Sequence, residues 1–171
     1  TPSATLMEQY QLVIWECGYS DPNSQERSEL GTFLDDGGHL FIVGQDIGYS
    51  MGGTSWYKTY LKARYEADNA NTNTVRGETD TFFEGATYNL AGGDGANNNW
   101  WPDVISPTGG AYTIMTYVGG FYDGEASAIA YEGSYKLVYF AFPFESINSR
   151  EDRADAMRRV VIDFFGIYPY T

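Results

Sequence analysis

Two short apolar runs fix most of what this chain can become. QLVIWE at 11–16 and HLFIV at 39–43 each have the length of a strand buried on both faces. Between them Leu30, Phe33 and Leu34 recur at the spacing of one helix face, and Asp35-Asp36-Gly37-Gly38 closes the segment with glycines suited to a helix stop. Strand, helix, strand is the unit from which parallel sheets are built, because a parallel pair needs a long crossover. The second run then breaks into Gly44-Gln45-Asp46-Ile47-Gly48, with a glycine on either side of a three-residue tip. A sharp strand-to-helix turn calls for such glycines, and many hydrolases mount a nucleophile at its tip.

The rest of the chain extends this pattern. Thr54 or Ser55 opens a short helix over 54–62. Residues 63–125 are rich in Asn, Gly, Thr and aromatics, with short strands expected near 63–67, 81–83 and 111–117. No linker flanks this stretch, so it reads as an elaborated insertion in a single domain spanning 1–171. SAIAYEG (127–133) and YKLVYFAFPFE (135–145) form a hairpin-like pair around Glu132-Gly133-Ser134. Ala154, Met157, Val160, Val161, Phe164 and Phe165 mark a closing amphipathic helix over 150–165. The expected architecture is α/β, a three-layer sandwich with a mainly parallel central sheet. Doubly wound domains normally begin with a strand at the sheet centre, yet none precedes QLVIWE, so the first strand is missing from the chain. Either the first β–α unit has been lost from the chain or another chain supplies that strand, since an exposed central edge would otherwise be an association hazard. The opening TPSATLMEQY, without an initiator Met, reads as a mature or excised fragment.

Composition narrows the function. Acidic residues outnumber basic ones 23 to 10, for a net charge of −13, which disfavours phosphate backbones and anionic membranes. No run approaches the eighteen or so apolar residues of a membrane span. A single cysteine, Cys17, permits no intrachain disulfide, and with His39 as the sole histidine a His/Cys zinc site within one chain is excluded. Lys58, Lys62 and Lys136 are the only lysines, among 15 Tyr and 20 Gly, a composition more extracellular than cytosolic.

The ordered motifs resemble the class I glutamine amidotransferase-like (flavodoxin-like) domains, closest to variants in large secreted or cell-surface proteins of bacteria and archaea. YQLVIWECG resembles the strand leading into that family's oxyanion loop, and LGTFLDDGGHLFIVGQDIG its helix, strand and nucleophile elbow. YKLVYFAFPFES resembles the late strand that carries a His-Pro-Glu segment, and DRADAMRRVVIDFF the closing helix. The resemblance implies Cys at the position of Asp46 and His at the position of Pro143. Only Glu145 survives of the base and its orienting carboxylate. Thiol attack on an amide needs a thiolate and a nearby base, so the expectation is a catalytically degenerate domain, a pseudoenzyme.

Three readings follow. The first is a non-catalytic accessory, assembly or binding domain of a secreted or cell-surface protein, with other domains or subunits as partners. The second is a glycosidase-like hydrolase in which Asp46 and Glu145, expected side by side at strand ends, act as an acid–base pair. The third is a subunit of an extracellular assembly completed by strand addition from a neighbour. Ligand-binding candidates are Asp46, Glu145, Cys17, Gln45, Trp100 and Trp101. The two tryptophans end a GGDGANNNWW loop that suits either a carbohydrate platform or plain packing against the sheet edge, and packing is favoured. Asp46 is expected first of all to bond turn amides or cap the next segment. Cys17 is expected to be an inert thiol, since His39 lies at the far end of its strand from the elbow. No cofactor is expected. Asp68, Asn69, Asn71 and Asn73 faintly resemble a calcium loop, though without the turn glycine and distal Glu.

Overall fold

The computed structural model describes residues 1–168. The predicted strand–helix–strand core is present: β1 (Val13–Glu16), α2 (Ser24–Asp35) and β2 (His39–Val43), with a one-turn helix α1 (Ala4–Met7) ahead of it. Asn23 starts α2 through a capping box. Its Oδ1 accepts from the amides of Gln25 and Glu26 at 2.9 and 3.1 Å, while Glu26 Oε2 accepts from the Asn23 amide at 2.8 Å. Leu30, Phe33 and Leu34 are buried, and Gly37, at φ 87°, ends the helix where a side chain would be strained.

After β2 come two short helices, α3 (Ile47–Met51) and α4 (Ser55–Tyr60). Five strands then follow, β3 (Ala63–Ala67), β4 (Thr74–Gly77), β5 (Thr87–Asn89), β6 (Val104–Pro107) and β7 (Tyr112–Tyr117). The hairpin β8 (Ala126–Glu132) and β9 (Lys136–Phe140) leads through a single 3₁₀ turn to α5 (Arg150–Arg158). Six wider, π-type residues, Arg159–Phe164, continue that helix and end where Phe164 and Phe165 are both buried. Residues 81–83, expected as a strand, form a turn. Thr81 Oγ1 donates to Glu78 O and accepts from the Phe83 amide. Phe83 is fully buried, so the aromatic run marks the core rather than a strand.

Among the described residues nine strands form one sheet, with β1-β2-β9-β8-β7-β4-β5 as its main path and β3 joined through β6 to β8. The sheet is mixed, which corrects the expectation of a mainly parallel one. Only β1–β2 and β2–β9 pair in parallel, and the six other pairings are antiparallel. The physical reason is local. Short turns such as that around Gly133 return the chain antiparallel, and only the segment with a crossover helix can build parallel neighbours. Strands of the 63–125 stretch pair within this same sheet.

Each face of the sheet carries its own apolar layer. Leu40, Ile42, Leu137 and Tyr139 pack with α1, α2, α3 and α4 on one face. Phe41, Val43, Val138 and Phe140 pack with α5 and its extension on the other. The alternation along β2 and β9 follows from the two-residue period of a strand. The carboxyl ends of β1, β2 and β9 thereby come together at one rim.

Candidate site at the carboxyl rim of the parallel strands

The turn after β2 is built by close approach. Neither Gly44 nor Gly48 has the left-handed backbone that only glycine tolerates. A Cβ on Gly44 would lie 2.9 Å from both Cys17 Cβ and Ile47, and one on Gly48 would lie 2.9 Å from Asp103 Oδ2 and Tyr65. The glycines are needed for space, not for the sharpness of the turn.

Gln45 is completely buried. Its Oε1 accepts from the amides of Trp100 and Trp101 at 2.9 and 3.0 Å, and its Nε2 donates to Asn98 O at 3.0 Å. The elbow therefore holds the Asn/Trp loop through one amide side chain. Asp46 occupies the N-cap position of α3 but makes no side-chain cap bond. The cap comes from Asp103, whose carboxylate accepts from the Gly48 amide at 2.6 Å and the Tyr49 amide at 3.2 Å. Asp103 is fully buried. Desolvation pushes its pKa up to about 8 against the pull of those amides, with Asp46 and Asp68 adding to the rise. Partial burial, then the charge of Asp68, also raises Asp46.

Glu145 lies elsewhere on the rim, with a different carboxylate. Its Oε1 accepts from Asn98 Nδ2 at 2.6 Å, while its Oε2 is buried and finds no donor among the described residues. Its neighbour is Glu16, at the end of β1. Desolvation first, then the charge of Glu145 and a hydrogen bond to its side chain, raise Glu16 to about 7, opposed by the Gly18 backbone. Glu16 keeps a solvent-exposed side, so water screens the pair and its energetic weight is modest. Of the two carboxylates picked out in the sequence, Asp46 feels the charge of Asp68, and the charge of Glu145 acts on Glu16.

Cys17, also at this rim, is a poor nucleophile. Burial pushes its thiol up to about 12, with the charges of Glu16, Asp21 and Glu26 adding to it. Trp100 and Trp101 are 61% and 50% exposed, not packed away against the sheet edge as favoured from the sequence. The Trp100 ring lies 5.5 Å from that of Tyr19, tilted by 30°, and Tyr19 is itself 48% exposed. The loop amides are mostly spent internally. Asn99 Nδ2 donates to Thr72 O and Asn73 Oδ1, Asn97 Oδ1 accepts from the Gly92 amide, and Asn98 also contacts Ser146 Oγ.

In the 68–73 segment, Asn69 and Asn71 adopt left-handed backbone with φ 58° and 53°. Asn69 Oδ1 accepts from the Asn71 amide, while Asp68 Oδ1 is buried and finds no donor among the described residues. Among those residues no group of three or more His, Cys, Asp or Glu is arranged to hold a metal ion. Sequence reasoning did not pick out Glu16 or Asp103. Each is a single acidic residue beside a strand, and nothing local marks it.

No family model and no curated protein sequence matches the chain. Solved structures do. The β-galactosidase of Bacillus circulans sp. alkalophilus superposes with a TM-score of 0.68 at 16% identity, over 95% of this chain but 24% of that enzyme. A ThuA-like protein from Bacteroides uniformis matches with a TM-score of 0.61 at 12% identity, over 93% of this chain and 72% of that one. A GMP synthase subunit from Thermoplasma acidophilum gives 0.54 at 12% identity, over 92% and 74%. The fold is similar to that of glutamine amidotransferase-like proteins. The chain spans about a quarter of the β-galactosidase it matches.

Proposed function

We propose that this domain is a non-catalytic, sugar-binding accessory module of a larger secreted or cell-surface protein that acts on carbohydrate. The observation that carries the reading is the exposed Tyr19–Trp100 pair at the carboxyl rim of the parallel strands. Aromatic faces stack on the C–H faces of pyranose rings. The similarity to a β-galactosidase in which this fold makes up about a quarter of the chain supports the same reading.

A hydrolase is the second reading, favoured by that same similarity. The rim chemistry argues against it. That reading needs Asp46 and Glu145 as its acid–base pair, held roughly 5–9.5 Å apart to admit a glycosidic bond or a water, whereas Glu145 Oε1 is already bonded to Asn98 Nδ2 at 2.6 Å.

Both readings meet in one experiment. Galacto- and manno-oligosaccharides are titrated while tryptophan fluorescence is followed, and aryl-glycoside hydrolysis is assayed on the same samples. The module predicts saturable binding with a Kd of about 0.1–1 mM, weakened at least about tenfold by Trp100→Ala, and no hydrolysis. Unchanged fluorescence up to about 10 mM sugar would reject the module, and turnover abolished by Glu145→Gln would replace it with the enzyme.

A further inference from the structure

The rim that carries the Tyr19–Trp100 pair holds a second aromatic pair. Tyr49, on the short helix α3, is 65% exposed. Its ring lies 6.5 Å from that of the half-buried Tyr65 of β3, nearly perpendicular at 73°. Rings standing this far out in water add little to the core, and clustered apolar surface on a folded chain marks an interaction site.

Buried polar side chains hold the two pairs near one another. Fully buried Gln45 accepts from the amides of Trp100 and Trp101. Asp103, two residues beyond Trp101 and equally buried, accepts from the Tyr49 amide at 3.2 Å. Asp103 is anchored in turn. Its amide donates to Ala141 O at 3.0 Å, and its carbonyl accepts from the Tyr117 hydroxyl at 2.8 Å. Two residues of backbone, one short side chain and one hydrogen bond place Trp101 and Tyr49 within roughly 15 Å of each other, a gap that a single oligosaccharide bridges. Asp46, half-buried and without a cap bond of its own, stands in the turn between Gln45 and Tyr49. Carboxylates are depleted from the cores of protein–protein interfaces, whereas a carboxylate accepts readily from sugar hydroxyls. The net charge of −13 disfavours an anionic ligand.

We infer that the rim takes one neutral oligosaccharide chain across both aromatic pairs, with Tyr19–Trp100 as the first station, Tyr49–Tyr65 as the second, and Asp46 available to the hydroxyls of the sugars between them. Sugar binding at Trp100 is the reading on which this rests. Added to it are a length and a charge: an extended neutral glycan, neither a single sugar nor an acidic one. A chain seated at the first station meets the second as an intramolecular partner, so affinity rises with chain length. Rings mounted on a pinned backbone lose little freedom on binding, which keeps that gain from being spent on ordering.

The test titrates the 171-residue chain by calorimetry with disaccharides and hexasaccharides of the galacto and manno series, and with a hexasaccharide of galacturonic acid. In whichever neutral series binds, the hexasaccharide is expected to bind at least about tenfold more tightly than the disaccharide, and at least about tenfold more tightly than the galacturonate. Tyr49→Ala is expected to erase the gain with length while melting as the parent does, because Tyr49 is exposed. Tyr49→Phe, which keeps the ring, is expected to preserve the gain. Equal affinity for disaccharide and hexasaccharide, or a gain that survives Tyr49→Ala, would overturn the second station and leave sugar binding at Trp100 standing. Galacturonate binding as tight as that of the neutral chain would overturn the charge selectivity. Self-association of the chain that Tyr49→Ala abolishes, with no effect of sugar length, would give the second pair to another copy of the protein instead. If no sugar of any length binds, the sugar-binding reading itself fails and the extended site falls with it.

Discussion

Replacing Gln45 with Leu removes the clasp between the elbow and the Asn/Trp loop while nearly conserving volume. Three hydrogen bonds disappear, two accepted from Trp100 and Trp101 and one donated to Asn98 O. Each contributes about 0.5–1.5 kcal/mol net, and a group left dry costs more than its bond was worth. Water reaches the loop through the exposed Trp100, so the amides there regain part of their loss. A total near 3 kcal/mol follows for the three bonds, and for a domain of this size that corresponds to a melting temperature lower by about 6–12 °C. The assay is thermal unfolding by circular dichroism, with tryptophan emission recorded alongside. Emission should shift red before the sheet melts, since the clasp holds the loop and not the core. A variant that melts within about 1 °C of the parent, with unchanged emission, would show that the loop is held elsewhere.

Other outcomes follow from the same geometry. Asp103 and Glu16 are raised to about 8 and about 7 in the folded chain; the stability each contributes is full below its ordinary carboxylate range and is lost as pH rises through those values. Melting temperature should therefore fall between pH 4 and 8.5, and Asp103→Asn should flatten the upper part of that slope, as calorimetry across pH would show. The Cys17 thiol, pushed up to about 12, should react with an aromatic disulfide at pH 8 far more slowly than free cysteine, with fast labelling refuting its placement. Gly77→Ala puts a Cβ 1.7 Å from Phe83 O, so the β4 edge must shift and stability should drop by more than about 3 kcal/mol in urea unfolding. Asp46→Cys combined with Pro143→His should release no ammonia from glutamine, because Glu145 is already engaged by Asn98.

Legibility from sequence tracked the range of the interaction. The α2 stop at Gly37 and the buried strand β2 were readable, because each depends on residues a few places apart; β1 was readable as a strand but not as buried, since it lies at the sheet edge with Ile14 48% exposed. β4 and β5 have only four and three residues, too short to show alternation, and the nearby Phe82-Phe83 run mimics a strand while serving the core. The elbow was readable as a turn but not in its cause, since the atoms that exclude a side chain at Gly48 come from Asp103, Tyr65 and Tyr57. The rim chemistry was least accessible. Glu16 acquires its shifted carboxyl only when β2 brings β1 and β9 to either side of itself, and Asp103 caps α3 from far along the chain.

These long-range bonds explain what holds the turn after β2 in place. In a working hydrolase the turn must leave its tip accessible, with amides free to hold a developing oxyanion. In this chain Asp103 takes the amides of Gly48 and Tyr49 in the first turn of α3, and Gln45 is turned inward onto the loop amides. The turn is a bracket that fixes where Trp100 stands relative to Tyr19. Selection on such a turn would act on packing: Gly44 and Gly48 to admit Cys17 and Asp103, and Gln45 to orient the aromatic rim. Asp46, which makes no cap bond, would be the freest of the five to vary.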